Sequence, residues 1–366
     1  MPAINIEKLT KTYGQLNAVD DLNYSFEDGK VTCLLGPSGC GKTTLMRMIS
    51  GLEEPTFGKI KFDELDVTDL PTATRNIGMV FQSPVVYRGL DVYRNIELPL
   101  LNEKLSAAEI KNRVENSIEL LDLKSIAREE AISLDHVLRQ KVAVARVVAR
   151  QPEIILFDEP LTNMDANAKM YFKRTFKELT QSLKQTIVYV THDQTEAMTF
   201  ADYIALMDNG RIMQYDHPRE LYLHPRHVFG GWFLGNPGMN FFDAELRKED
   251  GKQTAVLPLL LRPFLLNSGR ELSDGIKLGI RPEHIQARNA QDDAEFIPAR
   301  SIRKWISIGG QVMVLAEAGG IGFKLKIPAS LGTSLNEDFF VRLPHDKLVA
   351  FDENGDRLAA AHIEEE

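Results

Sequence analysis

The chain has 366 residues, a length that suggests two or three domains. Hydrophobic residues make up 43% and charged residues 26%, the balance of a globular protein with a sizeable core, which excludes fibrous and wholly disordered classes. The net charge of -9, from 43 Lys+Arg against 52 Asp+Glu, argues against sequence-independent nucleic-acid binding, so no nucleic-acid partner is expected.

In chain order, MPAINIEKLT shows no basic region followed by an apolar stretch, so no signal peptide is expected. Ile4–Leu9 and Leu22–Phe26 alternate apolar and polar residues, as half-buried strands do. Val31–Leu35 is a short apolar run ending at Gly36, with a helix expected from about Lys42. Cys33 and Cys40 offer neither a disulfide framework nor metal spacing and read as buried thiols of a reducing cytoplasm. Ser106 and Glu109 form a capping-box pattern ahead of Ile110, Val114, Ile118 and Leu121, which share one helical face. Glu153–Phe157 and Thr186–Val190 are β-rich apolar runs suited to parallel strands buried on both faces. This alternation predicts an α/β layered domain. After about Phe233 the character changes. A GNPG turn cluster at Gly235–Gly238 precedes short strand-like runs at Lys277–Ile280, Gln311–Leu315, Gly322–Ile327, Phe339–Leu343 and Lys347–Phe351, which predict a small β barrel or sandwich. The apolar stretch Ala255–Leu266 is broken by Pro258, Arg262 and Pro263 and falls short of a membrane span. His362–Glu366 reads as a solvated tail.

Two motifs carry chemistry. Gly36-Pro37-Ser38-Gly39-Cys40-Gly41-Lys42-Thr43 fits G-x-x-x-x-G-K-[ST] in full, between an apolar strand and a helix. Its glycines let backbone N–H groups wrap phosphates, and the following helix directs its positive end at them. Gly36 through Thr43, with Thr44, are therefore the candidate residues for binding ATP; Lys42 would reach the β- and γ-phosphates and Thr43 would ligate Mg²⁺. Ile154–Asp158 is a buried strand ending in a carboxylate, so Asp158 is the second candidate ligand for Mg²⁺, and Glu159 is placed to polarise an attacking water.

With these motifs the chain resembles the ATP-binding subunit of an ABC transporter: an α/β P-loop NTPase cassette at 1–235 followed by an all-β, OB-like domain at 236–366. The resemblance implies roles for residues that alone would read as packing or solvated side chains. Tyr13 in Lys-Thr-Tyr-Gly matches the aromatic stacked on adenine. Gln82 in Val-Phe-Gln-Ser-Pro matches the glutamine that contacts Mg²⁺ and the water and whose loop faces the membrane subunits. His192 in Tyr-Val-Thr-His-Asp-Gln matches the histidine that contacts the γ-phosphate. Glu159, His192 and Gln82 are thus the catalytic set, and Asp165 falls on the loop that crosses the dimer interface. Leu278–His284 (LGIRPEH), Leu234–Phe241 and Asp216–Tyr222 resemble the appended domain and linker of the maltose-type carbohydrate and polyol importers.

One motif departs from the family. Leu134-Asp135-His136-Val137-Leu138 stands where members carry Leu-Ser-Gly-Gly-Gln ahead of a basic helix. Asp135 would repel a γ-phosphate, side chains at His136 and Val137 would block close backbone approach, and Asp135 remains an acceptable helix N-cap. The resemblance then implies a heterodimer with a second ABC ATPase subunit of intact signature, two integral membrane permease subunits and an extracytoplasmic solute-binding protein. It places the chain peripherally on the cytoplasmic face of the bacterial inner membrane and, with Phe81–Tyr87 and Val190–Asp202, is strongest with the bacterial glycerol importers that use two different ATPases. The alternative is a non-catalytic, ATP-binding regulatory subunit of the same kind of transporter.

Overall fold

The structure, a computed structural model, describes residues 1–162, 164, 166–249, 252–266, 270–291, 294–307 and 309–359. Asp165 and the tail His362–Glu366 lie outside the described residues. The chain divides into two compact units, Met1–Arg219 and Glu220–Glu366.

The first unit is built on a sheet whose parallel strands are β3 (Val31–Leu35), β6 (Ile77–Val80), β7 (Ile154–Asp158), β8 (Thr186–Thr191) and β9 (Tyr203–Asp208). Their spatial order is β9-β3-β8-β7-β6, with β10 (Arg211–Asp216) added antiparallel to β9. All residues of β3 and β8 are buried, which is why these strands read as continuous apolar runs. Helices pack on the sheet: α1 (Lys42–Ser50) on β7 and β8, α4 (His136–Arg150) on β6, and α6 (Gln194–Phe200) on β3 and β8. Because the strands are parallel, the carboxyl ends of β3, β8, β7 and β6 open along one edge, the edge where such sheets bind ligands.

A separate antiparallel sheet has the order β2-β1-β4-β5, from β1 (Ile4–Tyr13), β2 (Leu16–Phe26), β4 (Phe57–Phe62) and β5 (Leu65–Asp66). Between β6 and β7 lie α2 (Val92–Glu97), α3 (Ala107–Leu120) and α4. The predicted capping box on α3 is present in both directions: Ser106 Oγ accepts from Glu109 N at 3.3 Å, and Glu109 Oε2 accepts from Ser106 N at 2.9 Å. Its predicted face is the buried one, through Ile110, Val114 and Ile118. Helix α5 (Ala166–Ser182) joins β7 to β8.

The second unit is rich in short strands, as expected. One sheet has the order β16-β20-β17-β18-β19, from β16 (Gln286–Arg288), β17 (Ile297–Ser307), β18 (Gln311–Ala318), β19 (Ile321–Pro328) and β20 (Asp338–Arg342). Two three-stranded sheets complete it. They are β11-β15-β21 (Asn240–Asp243, Lys277–Ile280, Val349–Phe351) and β12-β13-β14 (Glu245–Glu249, Lys252–Val256, Phe264–Leu266). Leu278, Val314, Leu325 and Val341, all fully buried, lie in its core.

The compact units divide at Arg219/Glu220, and the segment from Glu220 to Leu234 is tied into the second unit. The guanidinium of Arg281, only 1% exposed, is the tie. It donates to the carbonyls of Tyr222 (Nη2, 2.8 Å), Gly231 (Nη1, 2.9 Å) and Leu234, and lies 4.0 Å above the Tyr222 ring. Tyr222 Oη in turn donates to Glu283 at 2.5 Å. Helix α7 (Pro218–Leu223) and helix α8 (Val228–Phe233) are thereby fixed to the Arg-Pro-Glu stretch that follows β15.

Candidate nucleotide-binding and hydrolysis site

The loop between β3 and α1 needs its glycines for two different reasons. A Cβ at Gly36 would stand 2.2 Å from the Met207 carbonyl oxygen, and one at Gly41 (φ +104°) would stand 2.2 Å from that of Ala18. These two let the loop pack against β9 and β2. Gly39 is different: its φ of +84° disfavours any side chain, and among the described residues nothing beyond its two chain neighbours comes within 4 Å of the Cβ position. It fronts open space, as a phosphate cradle requires. Gly41 caps α1 without a side-chain hydrogen bond, and the first turn carries no acidic residue, so no carboxylate of the helix itself competes with an anion there. Lys42 is 4% exposed, and its Nζ donates to the carbonyls of Gly36 (2.9 Å) and Pro37 (2.8 Å), held inside the loop it serves. Cys33 and Cys40 are buried free thiols, as read from the sequence.

Strand register brings the remaining groups to this loop. Leu35 is paired with Thr191, and Val190 with Asp158, so the ends of β3, β8 and β7 lie side by side. Thr43 Oγ1 donates to Asp158 Oδ1 at 3.5 Å. Burial and the neighbouring Glu159 push the Asp158 carboxyl above its ordinary range, while Arg47, Thr43 and Lys42 pull it down. A carboxylate in that position is one that a hard cation would stabilise. Thr43 and Asp158 could supply two oxygen ligands, a set that would suit Mg²⁺ shared with nucleotide phosphates rather than held by a protein cage. Among the described residues no group of three or more His, Cys, Asp or Glu side chains is placed to hold a metal ion.

Glu159 sits at φ +44°, in the left-handed region a residue with a Cβ seldom adopts, and its N–H donates to Val190 O at 3.0 Å. Its Oε2 accepts from Thr162 Oγ1 at 3.0 Å and lies 3.2 Å from His192 Nδ1. The structure thus brings two members of the expected catalytic set into direct contact. Glu159 is largely covered, whereas His192 is 49% exposed. An anchored, partly exposed carboxylate beside an imidazole can accept a proton from water and pass hydrogen-bonding demand to the ring.

Gln82 follows β6 and is exposed. Its loop is gripped by α4: Gln140 Nε2 donates to Phe81 O at 3.3 Å, and Arg146 Nη2 to Val85 O at 2.7 Å, with the Arg146 guanidinium over the Tyr87 ring. Buried Asn95 closes the loop through Tyr87 N–H and the Tyr87, Leu90 and Asp91 carbonyls. Tyr13 lies at the end of β1, paired with Leu16 in the same hairpin whose Ala18 carbonyl touches Gly41. Its ring is 48% exposed, with Lys11 Nζ 5.1 Å from the centroid. The segment Leu134–Leu138 leads into a helix start: Asp135 caps α4, accepting from Leu138 N at 2.8 Å, as the sequence predicts.

A family model described as ABC transporter matches residues 19–162, and one described as MalK OB fold domain matches residues 235–285. The sn-glycerol-3-phosphate import ATP-binding protein UgpC of Psychromonas ingrahamii is 41% identical over 78% of this chain and 75% of its own. The chain belongs to the ATP-binding subunits of ABC importers. This subunit is 34% identical over 98% of its length to the sulfoquinovosyl glycerol transport ATP-binding protein SmoE of Agrobacterium fabrum, and 99% of that protein is covered. It is 36% identical to the trehalose/maltose import ATP-binding protein MalK of Thermococcus litoralis, over 88% of this chain and 90% of that one. Among solved structures, CbiO1 of Clostridium perfringens, part of the cbiONQ ABC transporter complex, superposes with a TM-score of 0.55 at 26% identity. The overlap covers 60% of this chain and 89% of that one, the extent of one cassette. The fold is therefore an ABC ATPase cassette followed by a MalK-type OB domain, and the activity is ATP hydrolysis coupled to transport. Among the described residues no helix is long and apolar enough to cross a membrane.

Sequence reasoning missed three features of this site. They are the Asn95 clamp, the grip of α4 on the 81–87 segment, and an ion-pair cluster of Lys169, Lys173, Asp193 and Glu196 beneath His192. The one local signal for the cluster is the Asp193-x-x-Glu196 spacing, which is a helix-cap pattern.

Proposed function

We propose that this subunit hydrolyses ATP over its own Lys42, Asp158 and Glu159 as one half of an asymmetric pair, with a second ABC ATPase that carries an intact signature. Two membrane permeases and an extracytoplasmic solute-binding protein complete the importer, which works at the cytoplasmic face of the membrane. The cargo is a sugar or polyol, glycerol before others. Mg²⁺, held by Thr43 and Asp158 with Gln82 alongside, would neutralise phosphate charge. Tyr13 would stack on adenine and His192 would sense the γ-phosphate. Glu159 would accept hydrogen from the attacking water while Thr162 and His192 hold it in place.

The observation that carries the asymmetry is the Asp135 carboxylate on Leu138 N–H at the start of α4. In the family a serine stands here and meets the partner's nucleotide. Two unit charges at about 4 Å and an effective dielectric constant near 20 interact by about 4 kcal/mol, less after screening. A pair made of two copies of this chain would carry that repulsion at both sites; a mixed pair would have one competent site, over Lys42. The same observation favours the regulatory alternative, in which this subunit binds ATP and its partner hydrolyses it; the Glu159–His192 contact speaks against it. Reconstituted transporter carrying Glu159→Gln in this subunit should lose transport, and the equivalent change in the partner should leave a substantial fraction. The reverse pattern would establish the regulatory role. Isolation from membranes of a functional homodimer of this chain would defeat the asymmetric reading altogether.

A further inference from the structure

Beneath His192 lies a charge cluster that no part of the proposed chemistry uses. Asp193 presents its two carboxylate oxygens in different directions. Oδ1 caps α6, accepting from Thr195 N (2.8 Å) and Glu196 N (3.2 Å). Oδ2 accepts from Lys169 Nζ at 2.8 Å and lies 3.3 Å from Lys173 Nζ. Glu196, 2% exposed, meets Lys169 Nζ at 2.9 Å through Oε1. Its Oε2 accepts from Tyr189 Oη (2.9 Å) and Thr191 Oγ1 (2.7 Å). Thr191 Oγ1 then accepts from Asp193 N–H at 3.0 Å, which closes the network around the backbone of His192.

Both lysines come from α5, and Lys169 stands in its first turn, which carries no acidic residue of its own. A cation there opposes the helix dipole, so helix stability does not explain it. The acidic pair across from it does. The chain just before α5 is also tied to the site, since Thr162 donates to Glu159 Oε2. Glu159 and His192 are therefore held from the same segment by two routes: Thr162 directly, and Lys169 through Asp193.

We propose that Lys169 and Asp193 are positioning residues by which α5 sets the His192 imidazole against Glu159. Thr162, ahead of α5, and the helix itself are thereby coupled to the histidine. A shift of α5 changes the Lys169–Asp193 contact, and Asp193 is the residue next to His192. This inference rests on the reading of His192 as the γ-phosphate sensor.

The test uses the full chain and the assembled transporter. Amide hydrogen exchange without nucleotide reads positioning, and steady-state hydrolysis reads its consequence. In Lys169→Met, amides of 191–196 should exchange faster while β3 and β7 stay protected. The kcat should fall about tenfold, the scale of a displaced catalytic group, with KM for ATP within about twofold. Lys169→Arg, which keeps the charge and reaches both carboxylates, should restore kcat to within about twofold. Asp193→Asn, which severs both lysine contacts but can still cap α6, should match Lys169→Met in both readouts and serves if that variant folds poorly. Faster exchange at 191–196 with unchanged kcat would make the cluster a structural clamp and overturn the proposal. So would a fall in kcat with unaltered exchange. His192→Ala separates the underlying reading: full activity in that variant would remove the sensor role, while the exchange data would still report whether Lys169 orders the segment.

Discussion

Replacing Arg281 with methionine tests the account of the domain boundary. The guanidinium donates to three carbonyls, of Tyr222, Gly231 and Leu234, and lies over the Tyr222 ring with 1% of its surface exposed. Burial pushes its pKa below the usual arginine range, so the charge is tolerated because those acceptors compensate for lost water. Methionine keeps much of the apolar stem but withdraws the guanidinium donors from the Tyr222 and Leu234 carbonyls, while the Gly231 carbonyl keeps the Met239 N–H at 3.0 Å. An unsatisfied buried polar group costs about 1–3 kcal/mol, and breaking a buried charge network costs about 3–5 kcal/mol in all. For a unit of this size that is a fall in midpoint of roughly 6–20 °C. The measurement is available without labels. The chain has two tryptophans, Trp232 and Trp305, and both belong to the second unit, so tryptophan emission during heating follows that unit specifically. Arg281→Lys should recover only part of the loss, because a point charge cannot serve three acceptors spread across a planar fork. A midpoint for Arg281→Met within about 3 °C of the unsubstituted protein would refute the reasoning.

Further outcomes follow from the site and its frame. Lys42→Ala should reduce ATP hydrolysis at this subunit by on the order of 100-fold or more, with circular dichroism unchanged; retention of half the activity would contradict the assigned role. Gly41→Ala places a methyl group 2.2 Å from a backbone oxygen at a φ of +104° and should destabilise the cassette by about 2–3 kcal/mol in urea titration, whereas Gly39→Ala, facing open space, should damage nucleotide binding more than stability. Ser106→Ala removes one half of the α3 capping box and should cost about 1 kcal/mol. Burial works to raise the Asp193 carboxyl, but Lys169 and Lys173 hold it well below the usual carboxylate range. The stability this confers is present above about pH 4, the ordinary range of the unfolded chain, and is lost as pH falls through the lower folded value. Asp193→Asn should therefore flatten the acid limb of stability against pH, measured by denaturant midpoints.

What could be read from sequence was whatever is carried by adjacent residues. The phosphate loop, the carboxylate at the end of β7 and the α3 capping box are local patterns, and each stands where the sequence put it. The Asp135 cap was legible for the same reason. The second unit was harder. Strand β17 went unpredicted because Arg300, Arg303 and Lys304 break its alternation, and only pairing with β18 and β20 makes it a strand. The tie that Arg281 makes was invisible because it finds its acceptors 47 to 59 positions away in sequence. The Lys169 cluster was invisible for a related reason: a lysine near a helix start looks like a solvated charge until β8 and α6 bring Asp193 and Glu196 against it.

Helix α4 has a mechanical consequence of its own. It begins at Asp135, the end expected to meet the other ATPase, and further along it holds the Gln82 segment at two points, Gln140 and Arg146. Those grips are six residues apart, about 9 Å of rigid rod. A rod seized twice cannot pivot beneath the segment it carries; it can only slide or tilt with it. Displacement at the Asp135 end is therefore delivered to Phe81 and Val85 together, as a push rod delivers it. The stroke is fixed by helix geometry and is independent of the chemistry at either end.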